Sequence, residues 1–238
     1  MTELIIDPQP NDETCGATCL HAVYRYYGYD IPLKNVIASV TRSASGGTLA
    51  PFLGIHALNH GFQTLVYTNN LKVFDLTWFA SDPTPPAEFL LEKLRAQEKF
   101  LTDDPDTLQI TRAYETYLTG GGKVQFQILT IDLLKQHLQQ HQPIITGLSS
   151  TYLYQCMREC FTEAGESISD DIHGTPCGHF VVLRGFEPKK NMISIADPYR
   201  KNPISHTNYY MIPITQVLNS ILLGVFTYYA NLLIITAD

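Results

Sequence analysis

The stretch Gln9-Pro10-Asn11-Asp12-Glu13-Thr14-Cys15-Gly16-Ala17-Thr18-Cys19-Leu20 decides how the rest of the chain is read. Gln9 stands six positions before a Cys-Gly pair, and an apolar helical run opens directly after it. A thiol that attacks a carbonyl must be ionised and exposed, and it must face donors that hold the oxyanion. A cysteine in the first turn of a helix gains from the unpaired N–H groups and the positive dipole end there. An upstream glutamine amide folded back beside the cysteine N–H adds a second oxyanion donor.

Such a thiol needs a base. Gly178-His179-Phe180-Val181-Val182-Leu183-Arg184-Gly185-Phe186 places a histidine at the start of a strand-like run, which is expected to lie at a sheet edge facing a cleft. Ile193-Ser194-Ile195-Ala196-Asp197-Pro198-Tyr199 is a second strand-like run ending in Asp-Pro. Histidine at one strand start and aspartate at the end of the next meet across a hairpin. The carboxylate then accepts from one imidazole nitrogen while the other faces the thiol.

The order Gln, Cys, His, Asp resembles the papain-like cysteine peptidases. The local words resemble their bacteriocin-leader branch, the C39-like peptidases, whose pattern is Gln, five residues, Cys-Gly, a small pair, Cys-Leu, then His-Phe/Tyr-Val-Val, then Asp-Pro. The resemblance covers residues 9–66 and 140–235. It implies Gln9 as the oxyanion-hole glutamine, Cys15 as nucleophile, His179 as general base and later acid, and Asp197 as the residue orienting the histidine. Thr14 departs from the family, which usually has Asp there, but removes no catalytic atom. The implied fold is α+β, a helical lobe packed on an antiparallel sheet. The implied reaction is hydrolysis of a peptide or isopeptide bond through a thioester. Transfer of the acyl group to an amine or thiol, glutamine deamidation, and a non-catalytic peptide-binding module remain open beside it. No metal or organic cofactor is required.

Composition sets bounds. The 238 residues suit one domain, 1–238. A net charge of −7 argues against a nucleic-acid groove, and the small basic group Lys189, Lys190, Arg200, Lys201 reads as a solvated hairpin edge. No signal peptide is visible, so a cytoplasmic, reducing location is expected, with the five cysteines as free thiols. The apolar C-terminus, 221–236, reads as one or two buried strands rather than a membrane span.

Hydrophobic spacing places helices at 15–27, 32–41, 48–60 and 131–141, with Ser43 to Gly47 as a loop. It places strands at 63–67, 124–128, 143–148, 179–186, 191–196, 207–212 and 224–236. Breakers at 82–86, 103–106 and 120–122 bracket two amphipathic helices, so 69–122 reads as a mostly helical insertion. Residues 151–161 read as helical and 162–177 as a polar loop. Cys156, Cys160, His173 and Cys177 pair at four-residue spacings, a loose zinc-like arrangement lacking the Cys-x2-Cys turn. Cys19 is expected in the core, His21 exposed, and His137 and His141 on a solvated helix face. Tyr152, Tyr154, Tyr209, Tyr210, Tyr228 and Tyr229 are candidates to line a cleft, with no individual role assigned.

Overall fold

A computed structural model of the chain describes residues 3–43, 47–161, 167–224 and 230–237. Most of the Ser43–Gly47 loop, residues 162–166, and Tyr228 and Tyr229 therefore lie outside the described residues. The fold is α+β. Helix α1 (Cys15–Tyr26) leads into α2 (Leu33–Ser39), α3 (Ala50–Asn59) and strand β1 (Gln63–Thr68). Then come α4 (Ala87–Glu98), α5 (Pro105–Thr119), β2 (Lys123–Gln125), α6 (Ile131–Gln139), β3 (Ile144–Ser149) and the short α7 (Ser150–Tyr154). The remainder is β4 (Glu159–Phe161), β5 (Ser167–Ser169), β6 (Gly178–Glu187), β7 (Met192–Ala196), β8 (Tyr209–Pro213), α8 (Ile214–Leu223) and β9 (Asn231–Thr236).

Seven strands form one sheet in the order β2-β1-β9-β3-β6-β7-β8. All its pairings are antiparallel except β1 with β2, which is parallel. Strand β6 is a near-continuous apolar run because both its faces are covered. Phe180 and Val182 join the core shared with α1, α3, α4 and α5, while Val181 and Leu183 join the core under α6 and α8. The sheet thus carries helices on both faces, one more layer than a single helical lobe supplies.

The second layer explains the main departures from expectation. Ile214–Leu223 is a helix, and only Asn231–Thr236 of the apolar C-terminus forms a strand among the described residues. His137 is buried, not solvated; its Nε2 lies 3.0 Å from the Tyr67 hydroxyl and its Nδ1 2.7 Å from Gln142 Oε1. His141, at φ +58°, is exposed beyond the end of α6. The helix expected at 151–161 stops at Tyr154, where Gln155 takes a left-handed conformation at φ +51°. Residues 159–161, read as the end of that helix, instead pair antiparallel with 167–169 from the segment read as loop. No helix among the described residues is long and apolar enough to cross a membrane.

Helix α1 is buried over its first ten residues, Cys15 to Tyr24, so its seating fixes where the thiol sits. Gly16 permits that seating. A Cβ there would collide with Thr48 Cγ2 and come within 3.2 Å of Phe180 Cδ2. Thr48 cannot yield freely, since it is 3% exposed and its hydroxyl donates to the Thr41 carbonyl at 2.9 Å. Gly16→Ala is therefore expected to destabilise the fold by about 1–3 kcal/mol through overpacking. Urea unfolding checks this, and a change below about 0.5 kcal/mol contradicts the close packing of α1 on β6.

Candidate active site

The first turn of α1 carries Cys15 at its start. Thr14 occupies the N-cap position but makes no side-chain capping bond to the helix. Its hydroxyl instead donates back to the Asn11 carbonyl at 2.9 Å and accepts from Asn11 N–H at 3.3 Å. The first-turn N–H groups beside the sulfur are thus free of a competing capping carboxylate, and that end of the helix favours negative charge.

Strand β6 brings His179 to the same place. It is an inner strand rather than a sheet edge, but its first residues, 178–181, pair only with β3 and extend past the end of β7. The chain leaves β7 at Asp197 and curls back beneath His179. His179 Nε2 lies 2.9 Å from Asp197 Oδ1. The other ring nitrogen is left for the thiol, and Cys15 lies near enough to this imidazole to help raise its pKa. Cys15 and His179 keep narrow openings to solvent, 8% and 7%, whereas Asp197 has none.

The Asp197 carboxylate is fully committed. Oδ1 also accepts from the Tyr199 N–H at 2.8 Å. Oδ2 accepts from the Tyr154 hydroxyl at 2.8 Å and the Tyr210 hydroxyl at 2.6 Å. Its main chain is pinned as well: its N–H donates to the Asn208 carbonyl at 2.8 Å, and Asn208 Nδ2 donates to the Asp197 carbonyl at 2.6 Å. The loop between β7 and β8 is tied internally by buried Asn202, whose Nδ2 donates to the Tyr199 and Thr207 carbonyls. Tyr154 comes from α7, whose Ser149 cap accepts from Tyr152 N–H, and Tyr210 comes from β8. Both hydroxyls stay protonated, since burial and then the Asp197 charge push their pKa well above the ordinary value. The rings of Tyr154 and Tyr199 flank the imidazole, with centroids 6.3 and 6.4 Å away.

Burial raises the Asp197 pKa, but the His179 charge and the hydrogen bonds from His179, Tyr210 and Tyr154 outweigh it and hold the carboxyl below its usual range. For His179 burial acts downward. The Asp197 charge and hydrogen bond, with the Cys15 contact, overcome it and push the imidazole up to about 10. A free histidine titrates near 6.5, so between about 6.5 and 10 the folded chain binds a proton that the unfolded chain has lost. That stabilisation is complete below pH ~6.5 and is lost as pH rises through about 10. The stability gap between the wild type and His179→Gln is accordingly expected to narrow steadily over this window. Urea unfolding at several pH values checks it, and a gap independent of pH contradicts the charged pair.

Gln9 reaches the site through its main chain, its N–H donating to the Pro198 carbonyl at 2.9 Å, one residue beyond Asp197. Its side-chain Oε1 is buried without a hydrogen-bond partner. Cys19, one turn beyond Cys15, is fully buried and donates to the Phe180 carbonyl at 3.3 Å. Burial, then the neighbouring Cys15 and Asp197, raise its pKa well above normal, so it remains a thiol. His21 is buried rather than exposed, 3.6 Å from Asp7 Oδ2, and burial lowers its pKa. Cys156, Cys160, His173 and Cys177 are not gathered into one cluster: His173 pairs with Asp170, and among the described residues no group of three or more such ligands converges.

Tyr154, Tyr210 and Asn208 are site residues that the sequence reading does not single out. With fourteen tyrosines in the chain, nothing local marks these two. The one available signal is position: Tyr210 lies on the strand that pairs with the Asp197-bearing strand.

Residues 88–213, over half of the chain, match a family model described as guanylylate cyclase. No curated protein matches the chain. Among solved structures it is similar to the peptidase domain of Streptococcus ComA, a bifunctional ABC transporter involved in quorum sensing. That likeness has 13% identity, covers 99% of this chain and 100% of that one, and has a TM-score of 0.46. It is also similar to a C39-like peptidase from Bacillus anthracis, at 15% identity, 99% and 96% coverage and a TM-score of 0.43. Xylellain, a cysteine protease from Xylella fastidiosa, is similar at 15% identity, 100% and 84% coverage and a TM-score of 0.44. The matched stretch carries Tyr154, His179, Asp197 and Tyr210, and over it the chain belongs to the guanylylate cyclase family.

Proposed function

We propose that the protein is a cysteine peptidase-like hydrolase acting on a peptide or isopeptide bond in a peptide or protein substrate. The observation that carries this reading is an imidazole held by a buried carboxylate at 2.9 Å, with Cys15 near enough to raise its pKa. In the proposed reaction the Cys15 thiolate attacks the carbonyl carbon. The oxyanion takes hydrogen bonds from the Cys15 N–H and the Gln9 side-chain amide. The C–N bond breaks as His179 gives its proton to the departing amine, leaving a thioester. Water then attacks the thioester with His179 taking its proton. The acid leaves and the thiolate returns. Asp197 keeps the imidazole oriented throughout and stabilises its charged form whenever it holds the proton. All five cysteines are unpaired, which accords with a reducing compartment such as the cytoplasm.

The family description speaks of a different activity, cyclisation of a guanylate nucleotide. Cys15 lies outside the matched stretch, and its nearness to His179 is what favours acyl chemistry here. Both activities are testable on one preparation. The purified chain is incubated with a diverse peptide mixture, with and without an added amine, and separately with GTP and magnesium. Mass spectrometry then identifies the products. Cleavage products that disappear in Cys15→Ala support the hydrolase. Amine adducts replacing free acids redirect the reading to transfer. Conversion of GTP that survives Cys15→Ala, with no peptide product, overturns it.

A further inference from the structure

A hollow of about 450 Å³ opens between α3, α4 and α5, away from Cys15. Ile55 and Leu58 of α3 give it an apolar wall, and Arg95 and Glu115 line it with opposite charges. The two are only loosely paired: Arg95 Nε and Glu115 Oε2 are 4.0 Å apart, beyond hydrogen-bond reach. Glu115 Oε1 is buried and has no hydrogen-bond partner, and it is the only carboxylate oxygen in that condition among the described residues. Its side chain is 17% exposed. The nearby Arg112 gives its Nε to Glu98 Oε1 at 2.6 Å and leaves Glu115 Oε1 without a donor. A buried carboxylate oxygen without a donor is costly and needs a reason. Burial, followed by the Glu98 charge, raises the Glu115 pKa against the pull of Arg95 and Arg112, as expected where a donor is lacking.

A ligand that completes this site must bring a donor to Glu115 without clashing electrostatically with Arg95. A bare cation meets the guanidinium, and a bare anion meets the carboxylate. A molecule carrying both charges a carbon apart satisfies both groups, and the apolar wall takes a hydrocarbon side chain. We propose that this hollow binds a zwitterion of the α-amino-acid class, its ammonium on Glu115 Oε1, its carboxylate on Arg95 and its side chain against Ile55 and Leu58. The volume lies in the range of small-ligand pockets. The site does not depend on the acyl chemistry at Cys15.

Isothermal calorimetry on the full chain tests it, with leucine as probe and N-acetyl-leucine and leucine amide as controls that each lack one charge. Saturable binding of a zwitterion is expected, with each control weaker by about tenfold or more. Glu115→Gln removes the charge and keeps the shape. Gly120→Leu keeps both charges and fills the hollow. A Cβ at Gly120 makes only ordinary contacts, 3.5 Å to Thr116 O and 3.6 Å to Leu58 Cδ1, and its φ of −76° suits any residue. Both variants are expected to lose binding with the unfolding midpoint preserved, and Cys15→Ala is expected to bind like wild type. The proposal is overturned by no saturable binding of leucine at millimolar concentration. It is equally overturned by controls that bind as well as leucine, or by affinity unchanged in Glu115→Gln and Gly120→Leu.

Discussion

Asp197→Ala is expected to lower stability by about 3–5 kcal/mol and to remove peptide cleavage, the broadest effect of any single change at the site. Four donors converge on this carboxylate: His179 Nε2, the Tyr199 N–H, and the hydroxyls of Tyr154 and Tyr210. All four meet at a side chain with no solvent exposure. Truncation leaves each of them short of a partner, at about 1–3 kcal/mol for each buried group not rescued by water. The imidazole also loses the charge that keeps it protonated. Asp197→Asn is the informative companion. Its amide oxygen still accepts from His179 and the Tyr199 N–H, while the tyrosine hydroxyls turn to accept from its NH₂. A loss of about 1–2 kcal/mol is expected for it. Urea unfolding of the two variants measures both effects. Asp197→Ala within about 0.5 kcal/mol of wild type contradicts the described network.

Cys15→Ala is expected to do the opposite: activity goes and the fold stays. Cys15 is small, and its neighbour His179 keeps the bond to Asp197. Stability is expected to change by no more than about 1 kcal/mol. Cleavage is expected to fall by about a thousandfold or more, the scale seen when the nucleophile of a triad is removed. Cys15→Ser keeps the shape but not the sulfur nucleophile, and is expected to fail almost as badly. Unfolding curves and kcat/KM on a cleaved peptide separate the two consequences. A Cys15→Ala protein that still cleaves places the chemistry on another group.

Much of the His179–Asp197 pair was legible from the chain because each residue sits at a strand end, where period and Asp-Pro punctuation are strongest. The α1 helix was legible for a similar reason: Leu20, Val23 and Tyr24 share a face, and Gly28, at φ +78°, follows its end. What was not legible depends on contacts between distant residues. Tyr210 and Tyr154 reach Asp197 from β8 and α7, across separations that no local pattern encodes. His137 looked solvated beside Gln139 and Gln140, yet Tyr67 on β1 covers it. Ile214-Thr215-Gln216-Val217-Leu218-Asn219-Ser220-Ile221 continues an apolar stretch of strand-like composition. It becomes helical because Val217 and Ile221 complete the core on the sheet's second face. Gly185 in β6 marks a register shift against β7 that a smooth alternating run conceals.

Treatment with an excess of a peptidyl vinyl sulfone, followed by mass mapping of the labelled cysteine, bears most directly on the thiol site. Solvent access alone favours Cys156, which is exposed, over Cys15, which is nearly covered. Labelling confined to Cys15, and lost in His179→Gln, is the predicted result. Labelling that follows exposure to Cys156 and spares Cys15, or that is indifferent to the loss of His179, contradicts it.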